Sequence, residues 1–403
     1  IVASGAMRAC SATVRGDHLR LGARGGATPR SRTMASNEME LGAGLEPVLT
    51  RDTGYCACVV DSCPVGVPGA PAGAAVVGTY QLVNPVTQLK SGDVQMLVAG
   101  EDATGDTVAI TAGTALSCAG GTFDVAWNPG ADGMLAVADS TGRVVLAQAV
   151  FAADGTATMS EVSYGVVDVG EDADDGAKPP SALAVAWDND GVEPGQAENL
   201  AVSYSDGRMA VWSVGEAALE CGQPWQAHSL EAWRVAFNPF NRTVVYSGGD
   251  DALFKAWDTR MGGYAVGATK VHGAGVTSIR PSLTSEYMVA TGSYDENLRM
   301  FDTRKLKVPV SEIALGGGVW MLRWHPTNPS LMAAACMYGG FAVIHSGDEF
   351  TTLTAATLST PPAPGDDADP LAYGIDWVGD GRLMACSFYD ARAYVYDGPW
   401  ASL

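Results

Sequence analysis

Short apolar stretches alternate along the chain with clusters of glycine, aspartate and asparagine, the pattern of antiparallel strands joined by tight turns. Six of these stretches have apolar residues at alternating positions, as half-buried strands require. They are FDVAW (123–127), LAVAW (183–187), WRVAF (233–237), VTSIR (276–280), VWMLRW (319–324) and YGIDW (373–377). All but VTSIR end in an aromatic residue. The pattern predicts a chain built from strands.

A turn motif recurs after these stretches. SGGDDALFKAWDTR (247–260) and TGSYDENLRMFDTR (291–304) each place an aspartate six residues before an aromatic residue and end in Asp-Thr-Arg. Equivalent turns occur at positions 139, 206, 251, 295, 339 and 390, with Gly339 in place of aspartate in one copy. The central turns are 44 or 45 residues apart, and the wider spacings hold insertions. A period near 44 with this motif is typical of WD-repeat propeller blades.

A degenerate seventh copy precedes the six. It comprises YCACVVDSCP (55–64) and VGTYQL (77–82). The stretch 40–54 is then placed to supply the strand that closes the ring and removes its free edges. We therefore predict an all-β, seven-bladed propeller forming a single domain over 40–403, with acidic surface insertions near 168–178 and 361–370.

The first 39 residues have a different composition. Residues 1–33 hold six arginines and a single acidic residue, Asp17. Because the chain begins with Ile1, we interpret this leader as an upstream extension of the reading frame, with Met34 as the start. The alternative is a targeting segment, since such segments are rich in arginine and serine and poor in acids. We expect the leader to be disordered.

Composition narrows the possible partners. Hydrophobic residues make up 47% and charged residues 17%, enough for a large core, and the net charge is −21. Such an acidic chain is not a generic nucleic-acid binder and favours positively charged partners. No apolar run reaches the roughly 18 residues of a membrane span, so we expect a soluble monomer without membrane contact. The eight cysteines are scattered, which indicates reduced, buried thiols in a cytoplasmic protein and no metal site.

Two histidines hold the same position in successive repeats. His228 precedes Ser247 by 19 residues and Asp251 by 23. The same spacings recur one repeat later in His272, Thr291 and Asp295. Taken singly, the first set resembles a hydrolase triad, but its repetition indicates a structural hydrogen-bond network of the WD-repeat type. No Gly-x-Ser-x-Gly elbow is present, so an ordinary serine hydrolase is disfavoured.

Several strings between the repeat markers resemble one particular family. They are AHSLEAW (227–233), SGGDD (247–251), GGVW (317–320) and CSFYD (386–390). Together they closely resemble the WD-repeat diphthine methyl ester hydrolases of diphthamide biosynthesis. The resemblance is closest over 221–345 and 373–397, and it does not extend to the leader or the acidic insertions.

The resemblance implies a reaction and a partner. Family members hydrolyse the methyl ester of methylated diphthine, a trimethylammonium-bearing histidine derivative on elongation factor 2, to diphthine and methanol. No cofactor is expected. The alternative is a non-catalytic WD-repeat adaptor, for example in membrane trafficking, because propellers serve both roles.

Propeller loops converge on one mouth of the channel, and their residues are our site candidates. The candidates for substrate binding are aromatic: Trp233, Tyr294, Trp320, Tyr338, Tyr373 and Tyr389. Aromatic faces attract quaternary ammonium groups. The candidates for catalysis are Glu231, our first choice as general base, and Asp250. Ser293 offers a hydroxyl, and the glycines at 248, 249 and 316–318 offer N–H groups to an oxyanion.

Overall fold

The computed structural model describes most of the chain from Leu45 onward. The described ranges are 45–101, 108–130, 132–153, 156–168, 177–188, 197–215, 218–360, 370–379 and 381–400. They contain 30 strands in seven antiparallel sheets and two single-turn 3₁₀ helices. The all-β, seven-bladed propeller is confirmed. The leader and most of the two acidic insertions lie outside the described residues.

Blades 1 to 3 form the amino-terminal part of the ring. Blade 1 contains β2 (Ala57–Ser62), β3 (Ala74–Thr79), β4 (Gln81–Asn84), β5 (Leu89–Glu101) and β6 (Val108–Cys118). Blade 2 contains β7 (Thr122–Trp127), β8 (Met134–Asp139), β9 (Arg143–Phe151) and β10 (Ala157–Val166). Blade 3 contains β11 (Ala182–Trp187), β12 (Asn199–Tyr204), β13 (Arg208–Val214), β14 (Leu219–Cys221) and β15 (Trp225–Gln226).

Blades 4 to 7 complete the ring. Blade 4 contains β16 (Ala232–Asn238), β17 (Asn241–Gly249), β18 (Phe254–Asp258) and β19 (Ala265–Thr269). Blade 5 contains β20 (Val276–Pro281), β21 (Met288–Ser293), β22 (Asn297–Asp302) and β23 (Ser311–Ala314). Blade 6 contains β24 (Met321–Trp324), β25 (Leu331–Ala335), β26 (Phe341–Ser346) and β27 (Leu353–Leu358). Blade 7 contains β28 (Ala372–Val378), β29 (Arg382–Ser387), β30 (Arg392–Tyr396) and β1 (Leu49–Asp52).

The first strand of each blade lines the central channel. These seven strands contact one another in turn around the ring, and all six predicted stretches coincide with them. The aromatic residue at the end of such a strand has an inter-blade role. The Trp187 indole N–H donates to the Ala126 carbonyl of blade 2 (2.9 Å). Three further tryptophans donate to the preceding channel strand in the same way: Trp127, Trp324 and Trp377.

The amino-terminal strand closes the ring. β1 pairs antiparallel with β30, with Leu49 opposite Val395, and the Val48 N–H donates to the Val395 carbonyl (2.8 Å). This confirms the closing strand predicted within 40–54. Blade 7 therefore combines the two ends of the described chain, which leaves no open edge at the junction.

Charged side chains bridge blades inside the channel. Arg323 of blade 6 donates to Asp61 of blade 1 (2.9 Å) and lies 3.5 Å from Asp376 of blade 7. Arg234 of blade 4 donates to Asp124 of blade 2 (2.8 Å). These ion pairs are largely buried, so removing one partner would leave an uncompensated charge.

The predicted network of blade 4 is present. His228 lies 2.9 Å from Asp251 through Nδ1 and 2.7 Å from the Ser247 hydroxyl through Nε2, and the Trp257 indole donates to that hydroxyl (2.8 Å). Burial acts to raise the pKa of Asp251, but hydrogen bonds from His228 and the backbone outweigh it and lower the pKa to about 2. His228 is buried, so its imidazole belongs to the scaffold and not to an open site.

Blade 5 departs from the predicted arrangement. His272 does lie near the Thr291 hydroxyl (3.3 Å), but Arg299 lies between the histidine and Asp295. The Arg299 guanidinium donates to His272 Nδ1 (3.0 Å) and to Asp295 (2.7 Å). Phe301 replaces the tryptophan and has no N–H to donate. The spacing predicted the participants correctly, but it gave no sign of the inserted arginine.

The cysteines in the described ranges are free thiols. Cys58, Cys336 and Cys386 are buried as expected, and burial raises the pKa of Cys336 to about 12. Cys221 is exposed, against the expectation of uniform burial. Among the described residues, no helix is long and apolar enough to cross a membrane.

Candidate functional site

Two carboxylates lie side by side at the channel mouth where the inner strands begin. Glu231 immediately precedes β16, and Asp250 immediately follows β17. The Asp250 N–H donates to the Glu231 carbonyl (2.9 Å), which continues the ladder by one step beyond the pair Ala232–Gly249. Both side chains are half-buried. The hairpin of blade 4 thus presents two acids to one opening.

Trp233 fixes the orientation of Asp250. Its indole N–H donates to Asp250 Oδ1 (3.1 Å), and the indole is itself buried. The neighbouring blade leaves space through Gly275, where a Cβ atom would lie 2.6 Å from Asp250 Oδ1 and 3.2 Å from the Tyr294 ring. One hydrogen bond and one glycine therefore determine where this carboxylate lies.

Aromatic rings continue from Trp233 across blades 5, 6 and 7. The ring centre of Trp320 lies 5.7 Å from Trp233, 5.8 Å from Tyr294 and 4.8 Å from Tyr373, on which it is stacked at 28°. Tyr294 also meets Trp233 edge to face at 6.4 Å. Distances and angles of this kind are the favourable ones for aromatic pairs. Four predicted binding residues thus form one packed cluster.

Burial and neighbouring groups raise the pKa values of two tyrosines in this cluster. Burial raises the pKa of Tyr294, and the charges of Asp250 and Glu231 raise it further. Burial likewise raises the pKa of Tyr373, with added contributions from its neighbours, among them Tyr294, Tyr389 and Tyr338. All eight candidate residues lie at the starts of channel strands or in the loops between the second and third strands of blades 4 to 7, which face the same mouth, and the two acids belong to blade 4.

The aromatic cluster extends further than the sequence analysis anticipated. Phe388 lies 5.1 Å from Tyr373 and 4.8 Å from Tyr80, whose ring meets Phe123 edge to face at 5.1 Å. Lys90 Nζ lies 5.7 Å from the centre of the Phe123 ring. We call the continuous row from Trp233 to Phe123 the aromatic arc. Its members are Trp233, Tyr294, Trp320, Tyr373, Phe388, Tyr80 and Phe123.

Accessibility differs along the mouth. Trp233, Tyr373 and Phe388 are buried, whereas Trp320 and Tyr294 are half-buried. Tyr338 is 67% exposed, and Tyr389 is half-buried against Phe388 (5.4 Å). An incoming group therefore meets Trp320 and Tyr294 as part of the arc and Tyr338 as a free-standing rim residue.

The serine and the glycines that the sequence offered for catalysis have structural roles in the blades. The Ser293 hydroxyl donates to the Ala274 carbonyl (3.1 Å) and accepts from the Asp295 N–H. The Gly249 N–H donates to the Leu253 carbonyl (3.3 Å) within the turn. A Cβ at position 317 would meet the Cys336 carbonyl at 2.1 Å, so close packing explains that glycine. None of these observations favours a role in catalysis.

The arrangement combines two kinds of attraction for a cation. Aromatic faces bind quaternary ammonium groups, at about 0.5–2 kcal/mol per contact. Adjacent carboxylates add Coulomb attraction and supply a general base within the same opening. The predicted residues were found from their positions beside the repeat turns. Tyr80 was missed because it lies in the degenerate first copy, whereas Phe123 occupies the same strand position as Trp233 and Tyr373 and could have been found from the repeat. Phe388 lies two residues before the turn residue Asp390, one position away from the candidates chosen.

Comparisons with known proteins agree with the fold and with the resemblance. The family model "WD domain, G-beta repeat" matches residues 219–258 and 264–302. The human protein named diphthine methyltransferase is 39% identical over 206 residues, covering 49% of this chain and 44% of its own length. Its Schizosaccharomyces pombe counterpart is 28% identical over 326 residues, covering 80% of this chain and 90% of its own. The chain thus spans about half the length of the human relative.

A solved structure shares the fold. A chain in the crystal structure of the mitotic checkpoint complex superposes with a TM-score of 0.60 at 15% identity, covering 95% of this chain and 98% of its own. That likeness concerns the fold alone. The named relatives and the repeat model confirm the resemblance found in the sequence. The chain is a WD-repeat propeller that is similar to proteins named diphthine methyltransferase.

Proposed function

We propose that this chain is a diphthine methylesterase. In the reaction, water adds to the carbonyl carbon of the methyl ester of methylated diphthine on elongation factor 2. The bond from that carbon to the methoxy oxygen breaks, methanol leaves with a proton, and the carboxylate of diphthine remains. The reaction is a late step of diphthamide biosynthesis and needs no cofactor.

The observation that carries the proposal is the hydrogen bond from Trp233 of the aromatic arc to Asp250, with Glu231 paired to Asp250 through the backbone. The substrate has a trimethylammonium group and an ester a few bonds apart. Trp320 and Tyr294 are the half-buried members of the arc in blades 5 and 6, and the charges of Glu231 and Asp250 act on Tyr294. A site that binds the cation on the rings therefore holds the ester within reach of an acid–base group.

The two carboxylates have different surroundings, which suits different tasks. Asp250 accepts a hydrogen bond from Trp233, so it is held as a fixed negative charge beside the rings. Glu231, half-buried immediately before β16, is assigned the task of taking a proton from the attacking water. The proton then passes to the departing methoxide.

Mass spectrometry of the methylated elongation factor tests the reaction. Hydrolysis releases methanol and lowers the mass of the modified residue by one methylene unit. The name of the relatives, diphthine methyltransferase, corresponds to the opposite change, which is a gain of one methylene unit on the unmethylated factor. A gain would replace the esterase proposal by methyl transfer, and an unchanged mass in both assays would exclude both reactions for this chain.

Single substitutions test the assigned roles. Glu231→Gln should abolish turnover and retain binding, because the amide cannot accept the proton. Tyr294→Ala should weaken binding of the ammonium group. Asp250→Asn should lower both rate and affinity. Near-normal turnover of Glu231→Gln would transfer the role of base to Asp250. Thermal melting of each variant separates these effects from misfolding.

A non-catalytic adaptor is the second candidate function. Propellers support both roles, and the exposed Tyr338 at the mouth suits contact with a protein partner. An adaptor would bind the elongation factor without releasing methanol. Binding to the modified and unmodified factor, measured beside the mass assay, distinguishes the two functions.

The proposed substrate places the protein in the cytoplasm, where elongation factor 2 works. Fluorescence microscopy of a tagged full-length chain tests this location. Import of a fusion carrying residues 1–33 into an organelle would contradict it and would support the interpretation of the leader as a targeting segment.

A further inference from the structure

Blade 1 carries a hairpin that extends beyond its sheet. The inner strand β2 begins at Ala57, and the Tyr80 N–H donates to the Cys56 carbonyl at this level. The chain then continues outward as β4, which pairs only with the first residues of β5, with Gln81 opposite Ser91. Four strand residues at about 3.3 Å each carry the hairpin roughly 13 Å past the start of β2.

The hairpin has a well-defined turn. The Asn84 side-chain oxygen accepts from the N–H groups of Val86 (2.9 Å) and Thr87 (3.1 Å). Gln88 adopts a left-handed conformation (φ 56°), and its side chain donates to the Pro85 carbonyl (2.6 Å). A turn held by these bonds presents its side chains in a fixed arrangement, which reduces the entropy lost when a partner binds.

Three large apolar side chains of the hairpin are exposed beside the polar Gln81, Thr87 and Gln88. Val83 is 58% exposed, Val86 is 90% exposed and Leu89 is 51% exposed. Other large apolar residues at the same mouth are also exposed, namely Leu230 of blade 4 and Tyr338 of blade 6. Apolar side chains grouped on an arm at the rim of a site are typical of a protein-binding surface.

The base of the hairpin belongs to the aromatic arc. Tyr80 contacts Phe123 and Phe388, and Lys90, on the opposite strand, lies over the Phe123 ring. A Cβ at Gly121 would lie 2.5 Å from Tyr80 and 3.0 Å from Lys90, so the base packs closely against blade 2. The arm is therefore continuous with the site and lies across the ring from the carboxylates of blade 4.

We propose that the hairpin of residues 81–91 is a docking arm for the protein that carries the modified side chain. This inference rests on the proposed function. A side chain that reaches the arc keeps its parent protein above the mouth, so apolar surface of that protein lies against Val83, Val86 and Leu89. The arm binds the protein, while the arc and the carboxylates bind the modified residue itself.

The test compares a protein substrate with a short peptide that carries the same methylated residue. The variant replaces Val83, Val86 and Leu89 by threonine, a β-branched residue that suits strands. We expect its KM for the methylated elongation factor to rise about tenfold or more, because interface apolar anchors are lost. The kcat and the KM for the peptide should stay within about twofold of wild type, since neither involves the arm.

A control variant keeps the number of changes and the introduced residue. It replaces three exposed valines elsewhere by threonine: Val65, Val266 and Val308. An unchanged KM for the protein substrate in the hairpin variant would overturn the proposal. Equal rises for protein and peptide would also overturn it, because they would indicate damage to the arc. If the wild type is a dimer and the hairpin variant is a monomer, the arm serves self-association and the proposal is overturned.

Binding separates this proposal from the esterase proposal. If the wild type releases no methanol from either substrate, the proposed reaction fails. The affinity for the methylated elongation factor then decides the question of the arm. Binding about tenfold weaker in the hairpin variant than in the control supports the docking arm, and equal binding excludes it.

Discussion

His228 and His272 occupy equivalent positions in adjacent blades, but they hold their protons on opposite nitrogens. In blade 4 the carboxylate of Asp251 accepts from Nδ1, so Nε2 accepts from Ser247. In blade 5 the Arg299 guanidinium donates to Nδ1, so the proton is on Nε2 and faces Thr291. The same spacing thus supports two tautomers. Arg299, which lies on the strand after the turn, determines the tautomer in blade 5.

The Arg299 arrangement predicts an acid-sensitive step in folding stability. Burial and the charge of Arg299 lower the pKa of His272 from 6.5 to about 4. Between these values the unfolded chain takes up a proton that the folded chain does not, so stability falls as pH decreases from 6.5 to 4. The loss is on the order of 3 kcal/mol. Denaturant unfolding across this range should show a flatter pH profile for His272→Asn, and an unchanged slope would contradict the assignment.

Gly275 provides a test of how Asp250 is positioned. In Gly275→Ala the new Cβ would lie 2.6 Å from Asp250 Oδ1, so the carboxylate and the Tyr294 ring must move. We expect esterase activity to fall about 10- to 100-fold with little change in melting temperature. Gly273→Ala is the matched control, since its Cβ would make only an ordinary 3.5 Å contact with Asp295. Equal activity of the two variants would show that Asp250 needs no fixed position.

At the scale of elements, the sequence predicted the channel strands, because they recur at the same place in every repeat. Terminal aromatics marked the channel strands because an indole at that position donates to the preceding blade, as Trp187 and Trp377 do. It did not predict the hairpin of residues 81–91, since alternation alone cannot show that β4 and the start of β5 pair outside the main sheet. It also missed Phe388, which is next to Tyr389 and was not counted as a rim residue.

The closing strand allows a test of ring formation. A chain that begins at residue 53 lacks β1, and β30 then loses one of its two partner strands and becomes the edge of blade 7. We expect its melting temperature to fall by about 5 °C or more, because four strand residues and their hydrogen bonds are lost. A chain that begins at Leu45 retains β1 and is the control. Equal melting temperatures would show that β1 contributes nothing to closure.

At the scale of the whole molecule, the charge distribution matches the proposed substrate. The chain carries a net charge of −21, and the acids at the mouth are added to an already negative field. Arginine side chains inside the ring form ion pairs with carboxylates, as Arg234 does with Asp124 and Arg323 with Asp61. A cationic substrate is therefore drawn towards the mouth by the whole molecule, and its ammonium group meets the aromatic arc on arrival.

Salt dependence tests this long-range attraction. Raising the ionic strength from about 0.05 to 0.5 M shortens the screening length several-fold, so the KM for a trimethylammonium peptide ester should rise several-fold. The control substrate has carbon in place of the ammonium nitrogen. It keeps the shape and the apolar surface, so its KM should be higher at low salt and nearly independent of salt. If both substrates respond alike, the attraction lies in apolar contact with the arc and the negative charge of the mouth has no part in it.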